Sequence, residues 1–197
     1  MQAVLGAGKI LGIDLSNDNV RAARQRFRAY ENVHFQQDNL IRLSLPSESF
    51  DFVFCVGVLQ VTEEPEVAFR ELCRILKRGG RIYLGVYGSG GFYHALGVPF
   101  YRLAGKLIPQ KVTEKVIEKC FPSLLEPARS LMDGMYVRIE QHYKISEIAQ
   151  WFLRMGMQPT FLRHPEQPDT LLSRILFGEG TMIYFSAIKN GNFDRAS

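Results

Sequence analysis

The sequence predicts a doubly wound α/β fold, and three observations carry that prediction. Short, largely apolar runs end in Ile10-Leu11-Gly12-Ile13, Phe50–Val56 and Arg81–Tyr87, with the length and composition of parallel strands. Two stretches of helical periodicity alternate with them. Strand–helix–strand alternation of this kind requires right-handed crossovers, and so a parallel sheet covered by helices.

The first strand runs straight into Asp14, then Leu15 and Ser16, which delivers a carboxylate to the carboxyl edge of the sheet where open α/β folds bind ligands. Ser16 is a good N-cap. Val20, Ala23, Phe27 and Tyr30 follow at spacings of three and four, with Arg21, Arg24, Arg26 and Arg28 off that line, predicting a helix from about Asn17 to Tyr30. Val33 to Gln37 reads as a short strand ending at Asp38 and Asn39. Phe50–Val56 is apolar apart from Asp51 and predicts a central strand buried on both faces.

Glu63, Glu64 and Glu66 crowd the start of the next helix, where Pro65 suits the first turn. Lys77 and Arg78 fall at its expected end, before Gly79, so charge, proline and glycine agree on one helix. Arg81–Tyr87 is then a strand entered through Gly79-Gly80. Residues 89–144 hold three broken helical stretches punctuated by Gly90-Gly91, Pro109, Pro122 and Pro127, too long for a loop and too apolar for a linker. They are predicted to form a cap over the carboxyl edge, inserted into one domain (1–197) whose core is 1–88 and 145–188. Ser146 is expected to cap a helix burying Ile148, Ala149, Phe152 and Met155 and stopping at Gly156. Met157–Arg163 and Met182–Ile188 read as two last strands.

Composition narrows the function. At 197 residues, 46% hydrophobic and 22% charged, the chain can bury a real core. Its +4 charge is scattered and forms no arginine-rich stripe, which argues against nucleic-acid binding. Cys55, Cys73 and Cys120 are odd in number and far apart, as reduced thiols are, and the four histidines show no metal-ligand spacing. With no signal peptide and no apolar run of roughly 18 residues, the expected location is cytoplasmic. Gly6-Ala7-Gly8 precedes a strand rather than following one, so it reads as a helix stop and not as a phosphate loop.

Four segments in this order, G-I-D-L-S at 12–16, F-Q-Q-D-N-L at 35–40, F-D-F-V-F-C-V-G-V-L-Q at 50–60 and R-E-L-C-R-I-L-K-R-G-G at 70–80, resemble the class I S-adenosylmethionine-dependent methyltransferases. The resemblance is to their small-molecule branch that includes quinone-biosynthesis enzymes, over about Ile10–Gly88 and more loosely Tyr143–Ile188. It implies a Rossmann-like, mostly parallel sheet whose last strand runs antiparallel. It also implies S-adenosylmethionine as cofactor, with Asp14 on the ribose hydroxyls and Leu15 lining the adenine pocket. Asp38 would meet the adenine amino group, Asn39 and Leu40 would flank the ring, and Cys55, Val56 and Gly57 would lie beside the methionine portion. Asp14 and Asp38 each keep a second reading, as a helix-dipole acid and as a turn acid bonding its own backbone.

Methyl transfer from a sulfonium is an in-line displacement, so positioning supplies much of the rate and a base is needed only if the acceptor arrives protonated. His142 and Tyr143 are the catalytic candidates, with His94 and Tyr87 behind them. The cap aromatics Phe92, Tyr93, Phe100, Tyr101 and Tyr136 suit an aromatic or lipid-like acceptor and suit an apolar lid core equally well. Phe92 to Ile108, with Arg102 and Lys106, is a candidate for peripheral membrane contact. The family histidine is replaced at Gln60 and Val61, and the family's opening strand and glycine-rich loop have no counterpart before Ile10. That shortening predicts weak cofactor binding and self-association through exposed core residues such as Ile13 and Phe54. A non-catalytic remnant or binding partner of a methyltransferase, and a nicotinamide-dependent dehydrogenase, are the alternatives.

Overall fold

The computed structural model describes residue 6 and residues 8–120, 135–136, 139–162, 170–178 and 182–190. Strand β1 (Ile10–Asp14) pairs in parallel with β2 (Val33–Gln37) across helix α1 (Asn17–Arg26), in a register that sets Asp14 opposite Gln37. Ser16 caps α1, its hydroxyl accepting from the Asn19 N–H. The helix stops at Arg26 and not at Tyr30. Phe27 lays its ring 5.6 Å from Phe35 on β2 and 6.2 Å from Tyr30, and this local cluster holds 27–30 as a turn.

A second sheet contains β3 (Phe50–Val56), β4 (Leu76–Tyr87), β5 (Thr160–Leu162) and β6 (Met182–Ile188) in the order β3-β4-β6-β5. β3 and β4 are parallel, joined across helix α2 (Pro65–Ile75), while β6 runs antiparallel to both its neighbours. The mostly parallel sheet with an antiparallel last strand is therefore the fold that the sequence predicts.

Two expectations need correcting. β3 is an edge strand of its sheet, and among the described residues no strand pairing joins β1 to β3. Val53 and Cys55 point into the core, but Phe52 and Phe54 stay more than half exposed, Phe54 stacked on Tyr83 at 5.4 Å. The apolar run thus reports a strand built for two covered faces of which one is covered here. Further along, α2 ends at Ile75 and β4 begins at the next residue. Lys77 and Arg78 sit on the strand, where Lys77 reaches Asp51 at 2.9 Å and Arg78 reaches Glu48 at 3.3 Å. Cross-strand acids explain these two cations better than a helix dipole does.

Beyond Gly88, a π-helical turn at Tyr93–Gly97 leads into α3 (Val98–Leu107) and then α4 (Gln110–Cys120). Residues 121–134 and 137–138 of the expected cap, Ala7 of the early glycine turn and Arg163 lie outside the described residues. Helix α5 (Ile145–Arg154) starts before Ser146: the Glu147 carboxylate accepts the Lys144 N–H at 2.7 Å and so fixes the first turn one residue earlier. A short helix, α6 (Leu171–Phe177), precedes β6.

The core lies between α2, α5 and the second sheet. Phe69, Phe152 and Phe185 are wholly buried and in ring contact in sequence, at 4.8 and 5.9 Å. Burial of each such side chain stabilises the fold by about 1.5–3 kcal/mol. Among the described residues no helix is long and apolar enough to cross a membrane.

Candidate cofactor cleft and acceptor face

β1 is parallel to β2 and β3 to β4, and residues at or just past the carboxyl ends of β1, β2 and β3 border one cavity. This cavity of about 800 Å³ opens between the two sheets, within the roughly 300–1,000 Å³ of small-molecule sites. Asp14, Leu15, Asp38, Asn39, Leu40, Cys55 and Val56 all line it, together with the open face of β3 and with Ile139 from the far end of the cap. Gly57 does not line it, but turns the chain just beyond.

The two acids differ in how far they are committed. Asp14 is exposed. Its Oδ1 accepts the Ser16 N–H at 2.8 Å, whereas Oδ2 receives only a long 3.3 Å contact from Asn19. One oxygen remains available to a ligand hydroxyl. Asp38 accepts from the N–H of Asn39, the N–H and hydroxyl of Ser44, and the Gln36 amide. Its carboxylate pins the 38–44 loop, the turn role that the residues themselves suggested, while still edging the cavity.

Burial pushes the thiol of Cys55 up to about 12, so it stays protonated and contributes shape, not nucleophilicity. Gly57 adopts φ +76°, which an L side chain resists, and its N–H donates to the Gly85 carbonyl at 3.0 Å. Close behind it sits Gln60, fully buried, with both polar atoms of its amide lacking a hydrogen-bond partner among the described residues. A lone amide in the run Val58-Leu59-Gln60-Val61 was the available signal for it.

Segment 139–143 returns along the same edge. The Gln60 carbonyl accepts the Gln141 N–H at 2.8 Å and the Tyr87 carbonyl accepts the Tyr143 N–H at 2.9 Å. Alternation then sends neighbouring side chains opposite ways. Tyr143 enters the core, edge-on to Trp151 at 5.2 Å, its hydroxyl donating to Gln141 and pushed by burial to about 12. It therefore does not reach the cavity. His142 points to the cap: Nδ1 meets the Gly88 carbonyl at 3.1 Å, and its ring stacks on Tyr87 and meets His94 edge-on at 4.8 Å.

His94 in turn faces the Gly90 carbonyl through Nδ1. Burial, aided by neighbouring His142, holds it below the usual imidazole range against the pull of that carbonyl and of Glu140. Glu140, itself almost wholly buried, completes the group by pairing with Arg102 of α3 at 2.7 Å. Sequence reasoning missed Glu140 and its pairing with Arg102, because the partners lie 38 residues apart. Neither His142 nor His94 lines the cavity, although Ile139, three residues before His142, does. Among the described residues no cluster of His, Cys, Asp and Glu could hold a metal ion.

Residues 1–84 match a family profile described as a methyltransferase domain. The matched segment is less than half of the chain, and the fold around it is similar to that of S-adenosylmethionine-dependent methyltransferases. Among similar proteins is a demethylmenaquinone methyltransferase of Tropheryma whipplei, 24% identical over 86% of this chain and 65% of the relative. Another is the ubiquinone/menaquinone biosynthesis C-methyltransferase UbiE of Azotobacter vinelandii, 30% identical over 52% of this chain and 44% of the relative. The chain thus spans less than two thirds of the length of these relatives. The fold is shared with the magnesium protoporphyrin IX methyltransferase of Synechocystis, solved with bound SAH, at a TM-score of 0.56 and 17% identity over 96% of this chain and 68% of that one.

Proposed function

We propose that this chain carries the donor cleft and acceptor face of an enzyme that moves a methyl group from S-adenosylmethionine to a small-molecule acceptor, aromatic or lipid-like. The observation that supports it is the convergence of Asp14, Leu15, Asp38, Asn39, Leu40, Cys55 and Val56 on one cavity. The cavity fits the cofactor in kind, with the lightly engaged Asp14 carboxylate at one end, apolar walls at Leu15 and Leu40, and Cys55 and Val56 at the other, just before the Gly57 turn.

When bound, the cofactor supplies a methyl carbon on a sulfonium, open to in-line attack. In this reading Asp14 accepts the ribose hydroxyls, Leu15 and Leu40 sandwich the adenine, Asp38 orders the loop beside it, and the Cys55–Gly57 turn flanks the methionine portion. His142 is the residue of the expected pair that can face an acceptor, because the Tyr143 hydroxyl is committed to Gln141. His94 stands in for Tyr143. Its Nδ1 proton is directed at the Gly90 carbonyl, which leaves Nε2 as the lone pair that could take a proton from the acceptor.

One observation favours the second reading, a non-catalytic binding partner: β1 and β3 flank the cavity without pairing among the described residues. Calorimetry separates the two. The enzyme reading expects binding of S-adenosylmethionine that weakens in Asp14→Ala, and no binding of NADH. Absent binding of S-adenosylmethionine sinks it in favour of the non-catalytic reading, and NADH binding would favour a dehydrogenase.

A further inference from the structure

Residues 139–143 run between the cap and the cavity wall and are held from both sides. Toward the body, Ile139 lines the cavity. Gln141 donates its N–H to the Gln60 carbonyl at 2.8 Å and its side-chain amide to the Thr62 carbonyl at 3.1 Å. It is thereby laid on the helical turn Leu59–Val61, and Val61 and Thr62 border the same cavity. Tyr143 ends this series, its N–H on the Tyr87 carbonyl and its hydroxyl on Gln141. Toward the cap, Glu140 pairs with Arg102 of α3, and the His142 ring meets His94. The two sets alternate residue by residue, as side chains do along an extended chain.

The cap side of this segment cannot let go without consequence. The Glu140 side chain is 3% exposed. If α3 moves off with Arg102, the carboxylate either follows or stays behind, buried and without that cation, and the second course is strongly unfavourable. If it follows, its chain neighbours move too, since the backbone has only two soft dihedrals per residue. Those neighbours are Ile139 in the cavity wall and Gln141, the clasp on Gln60 and Thr62. Cap position and wall position therefore share one set of contacts.

We propose that residues 139–143 are a strap that couples the cap helix α3 to the cavity wall. A ligand that braces Ile139 from inside the cavity firms α3 through Glu140 and Arg102. A cap that lifts slackens the wall at Ile139, Val61 and Thr62. Coupling between two sites is reciprocal, so a disturbance at either end must reach the other. The strap serves whatever ligand the cavity holds, and it does not depend on the methyltransferase reading.

The test is amide hydrogen exchange of the full chain without ligand, read over α3, the Leu59–Val61 turn and residues 139–143, with β4 and β6 as the internal reference. Arg102→Met is expected to speed exchange about tenfold or more in α3 and, with it, in the strap and the turn, while β4 and β6 keep their wild-type rates. Ile139→Ala, made at the opposite end, should speed exchange in α3 as well. An ion pair that only fastens the cap would loosen α3 alone in the first variant and leave α3 untouched in the second. Either of those results overturns the inference. Should β4 and β6 quicken equally in Arg102→Met, the milder Glu140→Gln takes its place, with the same pattern expected and the same results overturning it.

Discussion

Glu140 holds His142 and Arg102 at once: Oε1 lies 3.4 Å from the His142 Nε2, and Oε2 lies 2.7 Å from the Arg102 guanidinium. One buried carboxylate thereby ties the cap helix to the residue proposed to face the acceptor. The Gly88 carbonyl meets Nδ1 of the His142 ring at 3.1 Å, while Nε2 lies near Glu140 without a hydrogen bond among the described residues, so the ring is oriented from the Nδ1 side.

The two ends of the Glu140–Arg102 pair should not be equally expendable. Glu140 is 3% exposed and Arg102 is 27% exposed. Removing the arginine takes a cation from an almost wholly buried carboxylate, while removing the carboxylate charge acts on a more exposed arginine. Arg102→Met is therefore expected to cost about 1–3 kcal/mol more stability than Glu140→Gln, read from urea midpoints at neutral pH. The reverse order would mean that groups other than Arg102 sustain the carboxylate.

Asp14 and Asp38 line the same cavity but should fail differently. Asp14→Ala leaves an exposed turn lightly changed and, if Asp14 accepts the ribose hydroxyls as proposed, is expected to weaken cofactor binding by about 1–3 kcal/mol. Asp38→Ala frees the Asn39 and Ser44 donors and should lower fold stability by about 1–3 kcal/mol as well. Calorimetry and denaturant melts on both variants check this. Equal profiles would show that the hydrogen-bond contrast between the two acids has no energetic weight.

Gln60 offers the opposite kind of test. Its amide is buried with no hydrogen-bond partner on either atom among the described residues, which costs the fold and gains it nothing. Gln60→Leu, similar in volume and apolar, is expected to leave stability unchanged or raise it by about 1 kcal/mol. If the amide instead serves a ligand, that variant lowers affinity or turnover while melting no earlier. A substantial loss of stability would mean the amide is bonded in solution.

Alkaline pH should loosen this fold for an identifiable reason. Burial raises Cys55 and Cys73 from an ordinary thiol value of 9.0 to about 12, and Tyr143 from 10.0 to about 12. All three are neutral in the folded chain over a range where the unfolded chain would already ionise them. Their contribution is complete below about pH 9 and is lost as pH climbs toward 12. Urea melts from neutral to alkaline pH should show that decline, and alkylation at pH 8 followed by mass spectrometry should leave Cys55 and Cys73 unlabelled until denaturant is added.

Much of this was legible in the chain. That Asp14 ends a strand beside the cavity was legible, because the apolar run stops at it and a serine cap follows, and the late, separate Met182–Ile188 run proved to be the antiparallel strand. What could not be read was what stands beside each element. Phe50–Val56 has the composition of a strand covered twice, and no periodicity says that Phe52 and Phe54 end up open. Lys77 and Arg78 satisfied a helix-dipole rule and a cross-strand pairing rule equally, and only the position of Asp51 and Glu48 in space decides between them. Tyr143 and His142 are adjacent in sequence, and pleat alternation separates the core residue from the cap-facing one.

The division of the sheet into a two-stranded and a four-stranded part gives a bound ligand a mechanical duty. Asp14 and Asp38 ride on the smaller part and Cys55 and Val56 on the larger, and among the described residues no ladder of amide bonds stitches one part to the other. A molecule touching both therefore works as a rivet. Its hold should be felt unevenly, with amide exchange in β1 and β2 slowing more on binding than exchange in β4 and β6, which already clasp each other along seven residues.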